Sequence, residues 1–234
     1  MSNIQALEKI RADGRNRLHP PLTNPSWLVL RKRREIFTRW LQRLKNPNLI
    51  VLDVGGRVQP YRPLVASRAS RYIAVDLLVT PLVDIVGNAA QLPLQSASID
   101  LVLCTQMLEY APDPRQVIAE IHRVLKPSGL LLLSAPAVYP QDSEQEYWRF
   151  LPCALRELLV PFSMIELVAE GNSLSGFLRT INVCMVSFAP FTWLRKLLCF
   201  TAVPLLNLLG AFSEILKVTG DTSFTTNFSV LARK

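Results

Sequence analysis

Four short runs in the chain place small or polar residues where they could hold a nucleoside. Asp53-Val54-Gly55-Gly56, Asp76, Asn88-Ala89 and Thr105-Gln106 each stand at the carboxyl end of an apolar run. Paired glycines let a backbone turn sharply and come close to a ligand. A carboxylate such as Asp76 can accept hydrogen bonds from two ribose hydroxyls. The small and amide side chains of Asn88 and Ala89 suit a position against an adenine ring. Each run alone also reads as a turn or a cap, but the ordered set specifies a nucleoside better than any member does. The Gly-x-Gly-x-x-Gly fingerprint that admits a pyrophosphate is absent, because Arg57, Val58, Gln59 and Pro60 follow the glycines. That argues against a dinucleotide enzyme.

These residues converge only if the apolar runs are neighbouring strands of one sheet, since ligands of open α/β sheets bind at strand carboxyl ends. LIVLDV (49–54) is apolar throughout, as a strand buried on both faces must be. Residues 72–77, 83–87, 99–105 and 130–136 repeat the style. The spacing of Val117, Ile118, Ile121, Val124 and Leu125 predicts a helix over 114–125, stopped by Lys126-Pro127-Ser128-Gly129. Strands alternating with helices predict an α/β fold, a Rossmann-like, doubly wound, mainly parallel sheet. Residues 152–160 read as a helix, 162–170 as a sixth strand and 226–234 as a final edge strand. The 234 residues suffice for one such domain with elaborations. The expected organisation is an N-terminal arm and basic helix over 1–46, an α/β core over 47–172, an apolar helical insertion over 173–223 and a returning strand over 224–234.

VLDVGG (51–56), YIAVDL (72–77), NAAQLPLQSASIDLVLCTQMLEY (88–110) and IHRVLKPSGLLLLSAP (121–136) resemble the successive motifs of class I S-adenosylmethionine-dependent methyltransferases of the methyltransferase-11 group. The resemblance covers roughly residues 48–160, and the stretch 146–159 is similar to the segment after the fifth strand in many of these enzymes. It implies S-adenosylmethionine as cofactor, with Asp53, Gly55 and Gly56 around its methionine part and Asp76 on its ribose. It places Asn88 and Ala89 at the adenine, Gln106 after the fourth strand and Tyr61 beside the cofactor loop. Two positions depart from the pattern. Arg57 stands where the usual loop has its second glycine, so its side chain must point away or meet the cofactor's carboxylate. Asn88 replaces an aspartate, which keeps amide contacts but removes a charge. Two functional readings therefore stand, a methyltransferase and a non-catalytic relative acting as a membrane-associated or assembly partner.

Methyl transfer from a sulfonium asks a protein mainly to align the nucleophile and exclude water, with a general base only for an acceptor of high pKa. Glu109 and Tyr110 after the fourth strand, and Tyr147 and Arg149 after the fifth, are the candidate catalytic residues. The stretch from Glu146 to Arg149 is expected to form one wall of the acceptor site. His122, on the crossover helix, and His19, in the N-terminal linker, are poorer candidates. The acceptor atom is read as oxygen, on a small molecule, a glycan or a lipid-linked molecule.

Charge and hydropathy are uneven. Residues 1–45 hold eleven Lys or Arg against three acids, which accounts for the whole net charge of +8. The helix expected after Asn24-Pro25 is amphipathic and basic, which suits an anionic surface or simply a solvated face. Mean hydropathy is +0.23. Between Thr180 and Ser213 the only charges are Arg195 and Lys196. This insertion fits a packed subdomain or homodimer surface, a membrane-contacting element or acceptor tunnel, or a marginal membrane span. Four cysteines without CxxC spacing and two histidines argue against a metal site. Scattered cysteines and a first segment without an apolar run suggest a cytoplasmic protein, on the cytoplasmic face if membrane-associated. No nucleic-acid-binding module is recognisable.

Overall fold

The computed structural model describes residues 3–44, 46–141, 143–216 and 220–234. Its elements run α1 Asn3–Leu18, α2 Trp27–Gln42, β1 Leu49–Val54, α3 Arg62–Val65, β2 Ala69–Asp76, β3 Ile85–Val86, β4 Ile99–Thr105 and α4 Pro114–Val124, followed by β5 Leu125–Pro136, α5 Pro152–Leu158, β6 Met164–Ala169, α6 Ser173–Phe188, α7 Thr192–Phe200, α8 Ala202–Ile215 and β7 Asn227–Arg233. The strands form one sheet in the order β3-β2-β1-β4-β5-β7-β6. The first five strands pair in parallel, and β7 runs antiparallel to both of its neighbours.

The expected edge strand is therefore an interior one. β7 lies between β5 and β6, six of its seven residues are buried, and β6 takes the edge. TNFSVLARK alternates apolar and polar residues as an edge strand does, yet its Asn227 and Ser229 are buried polar residues, the latter donating its hydroxyl to Glu170. Residues 125–129 do not stop a helix as a separate loop. Asp113 caps α4 by accepting from the Arg115 and Gln116 amides, and the helix passes straight into β5 at Leu125. A register shift between Ile99 and Leu101 and a left-handed Ser128 (φ 67) absorb the change of direction.

Two apolar layers enclose the sheet. One face packs on α4 and α5 through Val117, Ile118, Ile121, Val124, Leu155 and Leu159. The other is covered by α2, whose Ile36, Phe37, Trp40 and Leu41 meet Val51, Leu101, Leu103, Leu132 and Leu231. Burying each such side chain contributes about 1.5–3 kcal/mol, so the basic helix is a structural layer of the domain. It opens two residues later than Asn24-Pro25 suggests. Asn24 accepts from the Ser26 amide in a local turn, and no side chain caps the helix beyond it. The first helix extends to Leu18, which is buried in the same layer.

Arm and insertion also form one unit. Asn207 of α8 donates to the Leu22 and Asn24 carbonyls and accepts from Asn182 of α6. Arg31 pairs with Glu214 of α8 at 2.6 Å, while Arg43 ties the arm to β6 through Glu166 at 2.9 Å. Gly210 lies so close to Leu28 that a Cβ there would stand 2.7 Å from its side chain.

Candidate active site

Two cavities open at opposite ends of the sheet. The larger, about 420 Å³, lies at the amino ends of β1, β4 and β5 around Asp100, Lys126 and Ser128. The smaller, about 310 Å³, lies at their carboxyl ends, with Gly55, Thr105, Gln106 and Pro136 in its wall. Strand carboxyl ends are where open α/β sheets bind ligands, because loops and helix N-termini meet there, so the smaller cavity is the candidate site. Arg17, Asn24, Ser26, Val29, Leu30 and Arg33 of the N-terminal segments cover one side of it.

The glycine loop is built for close approach. Gly55 has φ +78, and a Cβ on it would stand 2.7 Å from the Met107 side chain. A Cβ on Gly56 would stand 2.8 Å from the Asp53 carbonyl. Both amides donate to Val75 O, at 2.8 and 3.2 Å, which ties the loop to β2. The Asp76 carboxylate sits at the end of β2, half-buried, accepting from the Leu78 amide at 2.9 Å and the Arg57 amide at 3.3 Å. Arg57 thus orients Asp76 through its backbone while its exposed side chain borders the cavity. Gln106 has φ 50, and its amide donates to Ser134 O at 2.9 Å. A non-glycine residue in that conformation is uncommon and is held here by the neighbouring strand.

Asp53 is buried below the loop and does not line the cavity. It accepts from the Tyr72 hydroxyl at 2.5 Å, and burial pushes its carboxyl up to about 7. Tyr61 lines the cavity, with its hydroxyl 3.5 Å from Arg33. Asn88 and Ala89 lie outside it. Asn88 is exposed and caps its own turn by accepting from the Ala90 amide, and Ala89 packs against the core. Of the expected cofactor residues, Gly55, Tyr61 and Gln106 line the cavity, and Asp76, Asn88 and Ala89 lie outside it.

Glu109 and Tyr110 both line the cavity. Glu109 is 3% exposed, and its Oε2 has no hydrogen-bond partner. Burial is the main cause that raises its carboxyl to about 7. The loop after β5 is fastened to the Glu109 carbonyl, which accepts from the Tyr147 amide at 2.7 Å and the Trp148 amide at 3.3 Å. Of the expected Glu146–Arg149 wall, Glu146 alone lines the cavity. Tyr147 points to solvent at 59% exposure. Arg149 holds its loop, pairing with Glu146 at 2.7 Å and donating to the Tyr139, Pro140 and Trp148 carbonyls. Those two residues were expected at the chemistry because sequence order put them on the right loop, and the loop's backbone anchoring turns them away. His122 packs edge-on against Phe162, and His19 meets Arg34, both away from the cavity.

Three charged residues of the site region were not anticipated. Arg33 is 3% exposed and forms a forked pair with Glu170, at 2.8 and 2.9 Å. Its position could have been found, since residues 33, 36, 37, 40 and 41 share one helical face and Arg33 falls on the apolar one. Glu170 marks the end of the sixth strand, but nothing in its neighbourhood announces a buried partner. Arg179 of α6 reaches the cavity from a segment that sequence order places far from it.

The parallel order with an antiparallel seventh strand, and a cavity over its carboxyl ends, define a class I methyltransferase fold. Residues 52–133 match the methyltransferase-11 family model, a methyltransferase domain. A probable S-adenosylmethionine-dependent methyltransferase of Mycolicibacterium smegmatis is 47% identical over 72 residues, 31% of this chain and 25% of its own length. A malonyl-[acyl-carrier protein] O-methyltransferase of Coxiella burnetii is 34% identical over 110 residues, 42% of this chain and 39% of its own length. The chain thus spans well under half the length of either relative. In three dimensions it resembles an S-adenosylmethionine-dependent methyltransferase of Archaeoglobus fulgidus at TM-score 0.53 and 13% identity, covering 86% of this chain and 94% of that one.

Proposed function

We propose that the protein transfers the methyl group of S-adenosylmethionine to an oxygen of a small or lipid-linked acceptor. The observation that carries this reading is one cavity bounded by the Gly55 loop on one side and a buried carboxyl, Glu109, on the other. The residues present fit the cofactor. Neither glycine could carry a side chain without a clash, and Asp76 is pre-set by two backbone amides to receive a diol. Arg57, exposed and lining the cavity, would meet the methionine carboxylate, and Asn88 and Ala89 would border the adenine outside it. When bound, the cofactor supplies an electrophilic methyl carbon on a sulfonium leaving group. Glu109, near pKa 7 and in the cavity wall, is matched to take the proton from an acceptor hydroxyl. Calorimetric titration tests the cofactor reading, with saturable binding of S-adenosylhomocysteine and none of NAD expected. Equal response to both, or to neither, contradicts it.

The location we propose is an anionic membrane face, at which the insertion lies flat. α8 turns Val203, Asn207, Gly210 and Ser213 inward, while Leu205, Leu208, Leu209, Phe212 and Ile215 face outward. Phe188, Phe191, Trp193 and Phe200 extend the exposed apolar surface, and soluble surfaces rarely carry so large a patch. Thr192–Ile215 has 24 residues and contains an 18-residue window of mean hydropathy 1.6, enough by length and composition to cross a bilayer. Its break at Thr201 and the attachment of α8 to α2 favour lying on the membrane instead. Glu214, the only acid between residues 171 and 220, is already paired with Arg31. Among the described residues, Arg195 and Lys196 therefore stand on this surface without a carboxylate, an arrangement that suits lipid phosphates better than a second copy of the same face. Flotation with anionic vesicles at moderate salt is expected, and its absence overturns the location.

A further inference from the structure

The insertion sends one charged side chain into the cavity, and among the described residues no carboxylate pairs with it. Arg179 of α6 is 5% exposed and lines the cavity. Its guanidinium stacks on the Tyr139 ring at 4.6 Å. Its hydrogen bonds are two long ones, to Val138 O and Ser26 Oγ, both at 3.5 Å, and its Nε has none. The contrast with Arg33 in the same wall is informative. Arg33 is similarly buried but forked onto Glu170, whereas Arg179 touches a ring, a carbonyl and a hydroxyl and feels Glu170 only at a distance, against the like charge of Arg33. Burial lowers Arg179 to about 10, so it remains a cation at neutral pH.

A buried, unpaired cation is costly unless something neutralises it. Glu109 answers poorly, because burial leaves it partly protonated near neutrality. We propose that Arg179 anchors an anionic group of the acceptor, a carboxylate or a phosphate ester, through its guanidinium fork. The assignment of that anion to the acceptor rests on the methyltransferase reading above. The cofactor's own carboxylate has a nearer cation in Arg57, on the β1 loop that carries Gly55. Arg179 stands two strands away, beside Val138 and Tyr139 after β5. The family match ends at residue 133, so this anchor belongs to the part of the chain that can differ between relatives and select their acceptors.

The test uses the full chain with three probes. Inorganic phosphate is titrated into protein saturated with S-adenosylhomocysteine. S-adenosylhomocysteine and 5′-methylthioadenosine, which lacks the amino-acid carboxylate, are titrated into protein alone. Wild type should bind phosphate saturably, and Arg179→Met should weaken it at least about tenfold while both nucleosides keep their affinities. Arg179→Lys retains the charge and so guards against misfolding, and it should lose severalfold because it cannot fork. Unchanged phosphate affinity in both variants overturns the proposal. Loss of S-adenosylhomocysteine but not of 5′-methylthioadenosine in Arg179→Met also overturns it, by assigning the residue to the cofactor. Phosphate binding that needs Arg179, in a protein that binds neither nucleoside, supports the anion site and overturns the methyltransferase reading instead.

Discussion

The sheet and helix α8 distribute their side chains in opposite ways. β1 and β4 bury Val51, Leu52, Val54, Leu101, Val102 and Leu103 and pack them on helices from both sides. α8 buries one valine with an asparagine, a glycine and a serine against the protein and leaves Leu205, Leu208, Leu209 and Phe212 outside. The sheet is held by the transfer of apolar surface out of water. α8 is held by close backbone approach at Gly210 and by the Asn207 hydrogen bonds, which work with equal strength whether the outer face meets water or lipid. One region turns its apolar side chains into the core, and the other turns most of them outward.

The largest effect expected from the core side is catalytic. Glu109→Gln should lower turnover of the true acceptor by about 10²–10⁴-fold. In wild type the rate should rise with pH up to about 7 and level off above it, since Glu109 must be ionised to accept a proton. The charged groups acting on it are Arg33, Glu146 and Arg149, and a pH profile unchanged in Glu109→Gln would remove it from the mechanism. Next comes the ion pair that joins arm and sheet. Arg33→Met leaves Glu170 buried without its partner and should cost about 3–5 kcal/mol in denaturant unfolding. A loss below about 1 kcal/mol would mean that the arm is not a structural layer.

On the insertion side, Leu208→Gln with Phe212→Gln should reduce vesicle binding by about 100-fold or more, at about 1.5–3 kcal/mol for each apolar side chain withdrawn from lipid. Thermal stability in detergent-free buffer should change little. Destabilisation comparable to a core substitution would show that this face is covered by protein. The smallest effect is Gly210→Ala. The added methyl meets Leu28 and should destabilise by about 1–3 kcal/mol, read as a lower melting temperature with cofactor affinity unchanged.

Most of the core was legible in the sequence because its signals are local and periodic. Runs such as LIVLDV and IDLVLCT admit little besides buried strands, and the helix over Val117 to Val124 carries its face openly. Asp76 and the Gly55 loop were legible for the same reason, since each comes directly after its strand. The features that stayed hidden depend on contacts between distant segments. The interior place of β7 is set by pairing with β5 and β6, and its buried polar residues gave it the look of an edge. Arg33 hid among the other basic residues of α2 until Glu170 was brought beside it. Tyr147 and Arg149 lie on the expected loop, yet the two amides fastened to Glu109 O turn the loop so that Glu146 faces inward instead. Arg179 enters the site only because α6 packs against the arm.

The central claim is that the strand-end site holds an adenosyl cofactor through Asp76. Calorimetric titration of wild type and Asp76→Ala with S-adenosylhomocysteine tests it most directly. The account predicts saturable binding by wild type and a loss of about 10–100-fold in the variant, as expected for removing a charged acceptor from two hydroxyls. Equal affinities, or a folded wild type that binds none, would contradict it.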